Sequence, residues 1–164
     1  MDNAGKTTVV KQLCGQAIDS IEPTLGFQIQ TLRYDDKYQL HLWDIGGQRT
    51  IRSYWRNYFE ATDGLVWVVD SVDSHRMELC RQELMKVLQQ ERLTGATLLI
   101  MANKQDIEGS MTIDEISQSL DLECLQKQNR HWNIVACSAV SGSGVQQGFG
   151  WVVKDIASRI YMLA

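Results

Sequence analysis

The 164 residues, 44% hydrophobic and 22% charged, suit a single soluble domain with a well-developed core. A formal net charge of −4 argues against nucleic acid as the main partner, because a phosphate-neutralising surface is usually basic. No run of about 18 apolar residues offers a membrane span, and Asp2 is incompatible with N-myristoylation, which needs Gly at that position. No charged-then-apolar segment stands ahead of the first motif, so no secretory signal is expected. Cys14, Cys80, Cys124 and Cys137 are scattered without a C-x-x-C pair or a histidine at metal spacing. That pattern predicts reduced thiols in an intracellular protein rather than disulfides or zinc. His41, His75 and His131 are isolated and read as structural or surface residues.

In chain order, residues 5–14 follow a glycine turn and predict a helix. Phe27 to Leu32 and Tyr38 to Trp43 alternate apolar with polar around Asp35-Asp36-Lys37, which predicts an antiparallel hairpin. Leu65 to Val69 and Thr97 to Met101 are continuous apolar runs, as expected of parallel strands covered on both faces. Between them Met77, Leu84 and Leu88 form the apolar stripe of a helix. Thr112-x-x-Glu115 reads as a capping box opening a helix that carries Ile116 and Leu120. Asn133 to Cys137 is a last short strand. Phe149, Val153, Ile156 and Ile160, spaced i, i+4, i+7, i+11, predict the buried stripe of a final helix. No linker, internal repeat or low-complexity tract divides the chain. The prediction is one α/β domain over 1–164 with a mainly parallel sheet and one antiparallel hairpin.

Three motifs carry chemistry. Gly5-Lys6-Thr7 is the end of the pattern G-x-x-x-x-G-K-[ST], whose first glycine would fall one position before Met1. The turn Asn3-Ala4-Gly5 would aim backbone N–H groups at phosphates, with the positive end of the following helix behind them. Lys6 would reach the β- and γ-phosphates and the Thr7 hydroxyl would hold Mg²⁺, with Thr8 next in the loop. Taken alone, the triplet could equally be a helix start with a surface lysine. Trp43-Asp44-Ile45-Gly46-Gly47-Gln48 follows an apolar strand. There Asp44 could hold magnesium through water, Gly47 could offer its N–H to a γ-phosphate, and Gln48 could orient an attacking water by donating and accepting at once. The bland alternative is a glycine turn after a strand. Asn103-Lys104-Gln105-Asp106 stands at the end of the strand ending at Met101, where open α/β sheets bind ligands. Asp106 could accept from guanine N1–H and N2–H₂, a donor pair adenine lacks. Asn103 could bond N7 and the Lys104 stem could lie over the base. Ser138-Ala139, after the last strand, fits a backbone contact to guanine O6.

The order of phosphate loop, threonine, D-x-G-G-Q, N-K-Q-D and S-A over essentially the whole chain resembles the small GTPases of the Ras superfamily. Pro23-Thr24-Leu25-Gly26-Phe27, W-D-I-G-G-Q and Arg52 to Phe59 are similar to the ADP-ribosylation-factor branch. Asp63 to Ser71 and Glu91 to Ile100 resemble one subgroup of its Arf-like members. The resemblance implies a three-layer P-loop NTPase fold. It makes Thr24 the switch I threonine that ligands Mg²⁺ in the GTP state, Asp44 and Gly47 the switch II sensors, and Gln48 the hydrolysis glutamine. Phe27, Trp43 and Tyr58 match the branch's aromatic effector patch. For Trp43 the alternation with Leu42 points the same way, to a solvent-facing platform. The implied activity is slow GTP hydrolysis, since the charge-neutralising arginine usually comes from an activating protein; Arg49, next to Gln48, reads as surface charge. The implied partners are tubulin-folding cofactor D, carriers of lipid-modified proteins, a GTPase-activating protein and an exchange factor. The implied location is cytoplasmic, at microtubules or the centrosome.

Relatives in this branch carry an amphipathic N-terminal helix and a first β-strand ahead of the phosphate loop. With Met1 one position past the loop's first glycine, the first strand is expected to be missing from the sheet. The chain is then expected to be unstable alone or to bind nucleotide poorly, because three or four buried aliphatic side chains at roughly 1.5–3 kcal/mol each rival a net domain stability of about 5–15 kcal/mol. The alternative function is a truncated, nucleotide-independent interaction module. An ATP-using P-loop enzyme is disfavoured by Asn103 to Asp106.

Overall fold

The protein is described here by a computed structural model that covers residues 1–59 and 61–163, the last three as backbone only. The first helix, α1 (Lys6–Leu13), starts where Gly5 turns left-handed at φ 100° and buries Val9 and Leu13. Strands β1 (Phe27–Tyr34) and β2 (Tyr38–Ile45) pair antiparallel from Phe27↔Ile45 to Tyr34↔Tyr38. Asp35 and Asp36 both take positive φ between them, and Lys37 N–H donates to the Tyr34 carbonyl at 3.2 Å. Both central residues of a type I′ turn require that conformation, and aspartate tolerates it better than most side chains.

The short α2 (Arg49–Arg52) and a 3₁₀ turn at Trp55–Tyr58 follow the hairpin. Strands β3 (Gly64–Asp70), β4 (Thr97–Asn103) and β5 (Trp132–Ala136) then form a parallel sheet in the order β3-β4-β5. The connecting helices are α3 (Met77–Leu88), α4 (Ile113–Ser119) and α5 (Glu123–Lys127), and α6 (Val145–Leu163) is the last element among the described residues. Parallel crossovers put helices on both faces, so β4 is buried at every residue. Alternate side chains sort into two cores. Trp67, Val69, Leu98 and Ile100 pack with Cys80 and Leu84 of α3, Ile116 of α4 and Leu125 of α5. Val68, Leu99 and Met101 pack with Val9 and Leu13 of α1 and Val145, Phe149 and Val152 of α6. The expected three-layer α/β fold is therefore present, with the parallel sheet as its middle layer.

The sequence reading is corrected at a few positions. The α3 stripe is completed by Cys80 and Val87. The capping box is formed, the Thr112 hydroxyl accepting from Glu115 N–H and the Glu115 carboxylate from Thr112 N–H. Cys137 lies just past β5, and all four cysteines are free thiols. Ile160, expected on the buried stripe of α6, is 53% exposed. Arg159 reaches back to the Gly95 carbonyl and Thr97, at the very start of β4, so the turn carrying Ile160 runs past the end of the sheet. Val152 and Ala157 fill the stripe with Phe149 and Val153, while Ile156 is partly buried.

Among the described residues no ladder joins β2 to β3, and the hairpin and the parallel sheet are two separate sheets. Among the described residues β2 and β3 each have one unpaired edge. The hairpin is instead held from below. Leu32 and Leu42 pack on the second core, and the Tyr34 hydroxyl occupies the space beside Gly150 of α6.

Candidate functional site

The carboxyl ends of β2, β3, β4 and β5 open onto one rim with the turn before α1, the place where open α/β sheets bind ligands. At one end of this rim Asn103 is only 3% exposed, and its amide bridges two loops. Its Nδ2 donates to the Ala4 carbonyl at 2.9 Å, and its Oδ1 accepts from Ala139 N–H at 2.9 Å. Gly5 has to be glycine here, because a Cβ would collide with the Asn103 amide nitrogen and φ is positive. Sequence reasoning gave Asn103 a base contact. The structure shows it bracing the turn before α1 against the Ser138-Ala139 loop, with one Nδ2 hydrogen left for a further acceptor.

Lys104, at φ 67°, sends its ammonium to the Asn3 carbonyl at 2.8 Å and to Asp70 Oδ2 at 2.7 Å. Its stem is thereby stretched across the rim. Asp106 is exposed and accepts from the Ser138 hydroxyl at 2.9 Å, so its carboxylate is fixed while facing solvent. Gln105, given no role from the sequence, bonds Ser71 Oγ at 2.9 Å and the Met111 carbonyl at 3.0 Å. It locks the loop that presents its neighbours.

At the other end, three oxygens converge. Thr7 Oγ1 lies 2.7 Å from Thr24 Oγ1 and donates to Asp44 Oδ2 at 2.7 Å, and Thr24 reaches the same carboxylate oxygen at 3.5 Å. Thr24 and Asp44 are buried, and Asp44 Oδ1 has no partner. A cluster of hydroxyl and carboxylate oxygens with one buried lone acceptor suits a hard divalent cation such as Mg²⁺. Beside it Lys6 donates to the Met1 carbonyl, and burial lowers its pKa, the charges of Asp44 and Asp2 working in the opposite direction. The Met1 amino group is pushed down to about 5 by burial, with the Lys6 charge adding to the effect. Gly46 and Gly47 are buried, and a Cβ on Gly47 would strike Met1, Asp2 and the Lys6 ammonium. Gln48 turns inward, its Oε1 buried without a partner.

Further residues, silent in the sequence reading, tie this end together. Arg52 donates to the Gly47 carbonyl at 2.9 Å and to Asp2 at 3.0 Å, and Asp2 also pairs with Arg76. Trp55 donates from its indole to the Gly46 carbonyl at 2.8 Å. The one signal that could have found Arg52 and Trp55 is their three-residue spacing just after the glycine turn, which puts both on the side facing that turn. Arg49 is exposed, in keeping with surface charge. Outside the rim, Phe27, Trp43 and Tyr58 form one aromatic cluster. The Phe27 and Trp43 rings stack 5.4 Å apart, and Tyr58 lies 5.1 Å and 6.1 Å from them. Phe27 and Trp43 are 44% and 48% exposed.

A doubly covered parallel sheet, a Lys-Thr helix start and two further loops closing on it define the class: this is a small GTPase. The chain belongs to the ADP-ribosylation factor family, which its sequence matches over residues 1–156. It is similar to ADP-ribosylation factor-like protein 2 of Arabidopsis thaliana, at 60% identity over 99% of this chain and 87% of the relative. The same protein of Dictyostelium discoideum is 55% identical and that of Drosophila melanogaster 53%, with the same coverage. Among solved structures, the Arl6 BBS3 small GTPase from Trypanosoma brucei with bound nucleotide analogue GppNp matches with a TM-score of 0.88 at 29% identity, covering 96% of this chain and 94% of that one. Proteins of this family are GTP-binding switches that hydrolyse GTP and answer to activating and exchange proteins. The present chain is such a switch by its family and fold.

Proposed function

We propose that this chain binds GTP and GDP with Mg²⁺ on the rim described above, hydrolyses GTP slowly, and engages effectors in the GTP state. The observation that carries the reading is the convergence of Thr7, Thr24 and Asp44 oxygens around the partnerless Asp44 Oδ1, next to Lys6. Thr7 and Thr24 would hold the ion directly and Asp44 through water; the ion, when bound, would neutralise phosphate charge. Asn3, Ala4, Gly5 and Thr8 hold the phosphates with backbone and hydroxyl donors at the start of α1, and Lys6 supplies the point charge. Asp106 reads guanine N1–H and N2–H₂, Lys104 covers the base, and Asn103 with Ser138 and Ala139 closes the pocket.

In hydrolysis a water oxygen attacks the γ-phosphorus, the bond to the β–γ bridging oxygen breaks, and GDP and inorganic phosphate leave. Gln48 orients that water through its inward Oε1. Among the described residues Arg52 is committed to Gly47 and Asp2 and Arg76 to Asp2, and so the rate stays low until an activating protein supplies a cation.

Similarity to the Arf-like 2 proteins extends the proposal to tubulin-folding cofactor D and carriers of lipid-modified proteins as partners. Phe27, Trp43 and Tyr58 form the contact surface, and the location is cytoplasmic at microtubules or the centrosome. A second reading, a nucleotide-independent interaction module, is favoured by that aromatic cluster, because its exposure and stacking use no residue of the phosphate or base motifs.

Binding of fluorescent GDP, GTP and ATP to this chain and to Asp106→Ala, with and without Mg²⁺, tests the proposal. Guanine-selective, Mg²⁺-dependent binding that the substitution abolishes is expected. Absence of nucleotide binding, with tubulin-folding cofactor D still retained on the immobilised chain, would replace the switch with the module.

A further inference from the structure

The Gly46–Gly47 dipeptide has four backbone polar groups, and the protein fixes three of them. Gly46 N–H donates to the Gly26 carbonyl at 2.8 Å, the Gly46 carbonyl accepts from the Trp55 indole at 2.8 Å, and the Gly47 carbonyl accepts from Arg52 at 2.9 Å. The fourth, Gly47 N–H, donates to no protein acceptor among the described residues, although Gly47 is buried. Buried backbone N–H groups are almost always paired, so one left free next to the Lys6 ammonium marks a place for an anion.

The Trp55 bond decides where that N–H points. In a trans peptide the carbonyl of Gly46 and the N–H of Gly47 lie in one plane and point in opposite directions. A donor gripping the first therefore aims the second. Trp55 is well placed to act as a fixed donor: it is 7% exposed, and its ring meets Trp67 edge-on at 5.6 Å and 89°. Trp67 is itself held by its indole N–H donating to Cys80 Sγ at 3.2 Å on α3. An aromatic pair anchored on the central core thus reaches the Gly46–Gly47 turn of the site.

We infer that Trp55 is a positioning residue that sets the Gly46–Gly47 peptide so that Gly47 N–H meets the terminal phosphate of a nucleoside triphosphate, and that it thereby sets the preference for triphosphate over diphosphate. The inference rests on the nucleotide-binding reading above. A diphosphate lacks the group this N–H would meet, so losing the indole donor weakens one ligand and spares the other.

The test measures affinities for fluorescent GDP and a non-hydrolysable fluorescent GTP analogue in the wild-type chain, Trp55→Phe and Trp67→Phe. The control is Trp67→Phe, which loses aromatic packing and an indole bond but touches neither glycine. A hydrogen bond of ordinary net strength corresponds to a factor of about 2 to 10. Trp55→Phe is expected to lower the triphosphate-to-diphosphate affinity ratio by about that factor with GDP binding unchanged, while Trp67→Phe leaves the ratio at the wild-type value. Should Trp55→Phe fold poorly, benzothienylalanine at position 55 keeps the ring shape, replaces N–H by sulfur, and is expected to give the same drop. An unchanged ratio in a Trp55 variant, or an equal fall in Trp67→Phe, overturns the inference alone. A wild-type chain that binds neither nucleotide overturns the reading beneath it as well.

Discussion

Asn103 gives the sharpest test of whether the rim is built as the structure shows. Its amide joins the Ala4 carbonyl to Ala139 N–H, each at 2.9 Å, between residues that are 1% and 2% exposed. In Asn103→Ala both backbone groups lose this partner inside the protein, where water cannot easily replace it. Leaving a buried donor or acceptor unmade costs about 1–3 kcal/mol, so the two together cost about 2–6 kcal/mol. Against a net domain stability of about 5–15 kcal/mol that is a large fraction. Urea unfolding without nucleotide is therefore expected to show a clearly lower midpoint for Asn103→Ala at an unchanged slope. If Asn103 served only to read the base, the same substitution would remove guanine affinity and leave the nucleotide-free midpoint within about 0.5 kcal/mol of wild type. That second outcome would refute the bracing role.

Three further outcomes are expected. Thr112→Ala removes one half of the capping box at α4 and should cost about 1 kcal/mol in chemical denaturation, with nucleotide binding unaffected. Arg130 donates to the carbonyls of Leu93, Ala96 and Leu88 at 3.0, 2.9 and 3.2 Å; Arg130→Ala should cost about 1.5–3 kcal/mol, and Arg130→Lys should recover only part of it, because an ammonium cannot reproduce the planar fork. Burial alone would raise the Asp2 carboxyl, but its hydrogen bond to Arg76 and the charges of Arg76 and Arg52 bring it below 3.8. A depressed carboxyl stabilises the fold above its unfolded value and stops doing so as pH falls through its folded value. The stability lead of wild type over Asp2→Asn, under about 1 kcal/mol for so exposed a pair, should thus be present at pH 7 and vanish in melts well below pH 3.8.

Much of the fold was legible because its signals are local. The continuous apolar runs of β3 and β4 report burial on both faces, and the two aspartates of the hairpin turn report positive φ. The site motifs were legible for the same reason: Lys6, Thr7, Asp44 and Asp106 lie in short strings tied to strand ends. What stayed hidden depends on distance in sequence. No pattern announces that Asn103 reaches back 99 residues to Ala4, or that Asp2 meets Arg76. Trp55 entered only as one residue of the stretch Arg52 to Phe59, whose pattern does not say that its indole meets a glycine carbonyl nine residues back. Ile160 failed for the opposite reason. Its helical period is correct, but periodicity carries no information about where the sheet beneath the helix ends.

The division into two sheets explains why so many motif residues are buried and bonded to one another. A continuous ladder would hold β2 against β3 through backbone hydrogen bonds, and the site would then only need to line its rim. Here, among the described residues, no ladder crosses between them. At the rim the hairpin is joined to the remainder of the domain by Thr7 with Asp44, Thr24 with Thr7, Arg52 with Asp2, and the packing of Gly47 on Met1 and Lys6. Of these, Lys6, Thr7, Asp44 and Gly47 are residues that the phosphate and D-x-G-G-Q motifs mark for ligand binding. The seam of the fold and the phosphate end of the site are therefore one set of contacts. A ligand bridging Lys6, Thr7, Thr24 and Gly47 would bind across that seam, and any free energy it gains there stabilises the docking of the hairpin as well. In such an arrangement nucleotide recognition and the integrity of the hairpin–sheet junction are thermodynamically linked through the same side chains, which is the physical condition for a switch whose hairpin responds to what the rim holds.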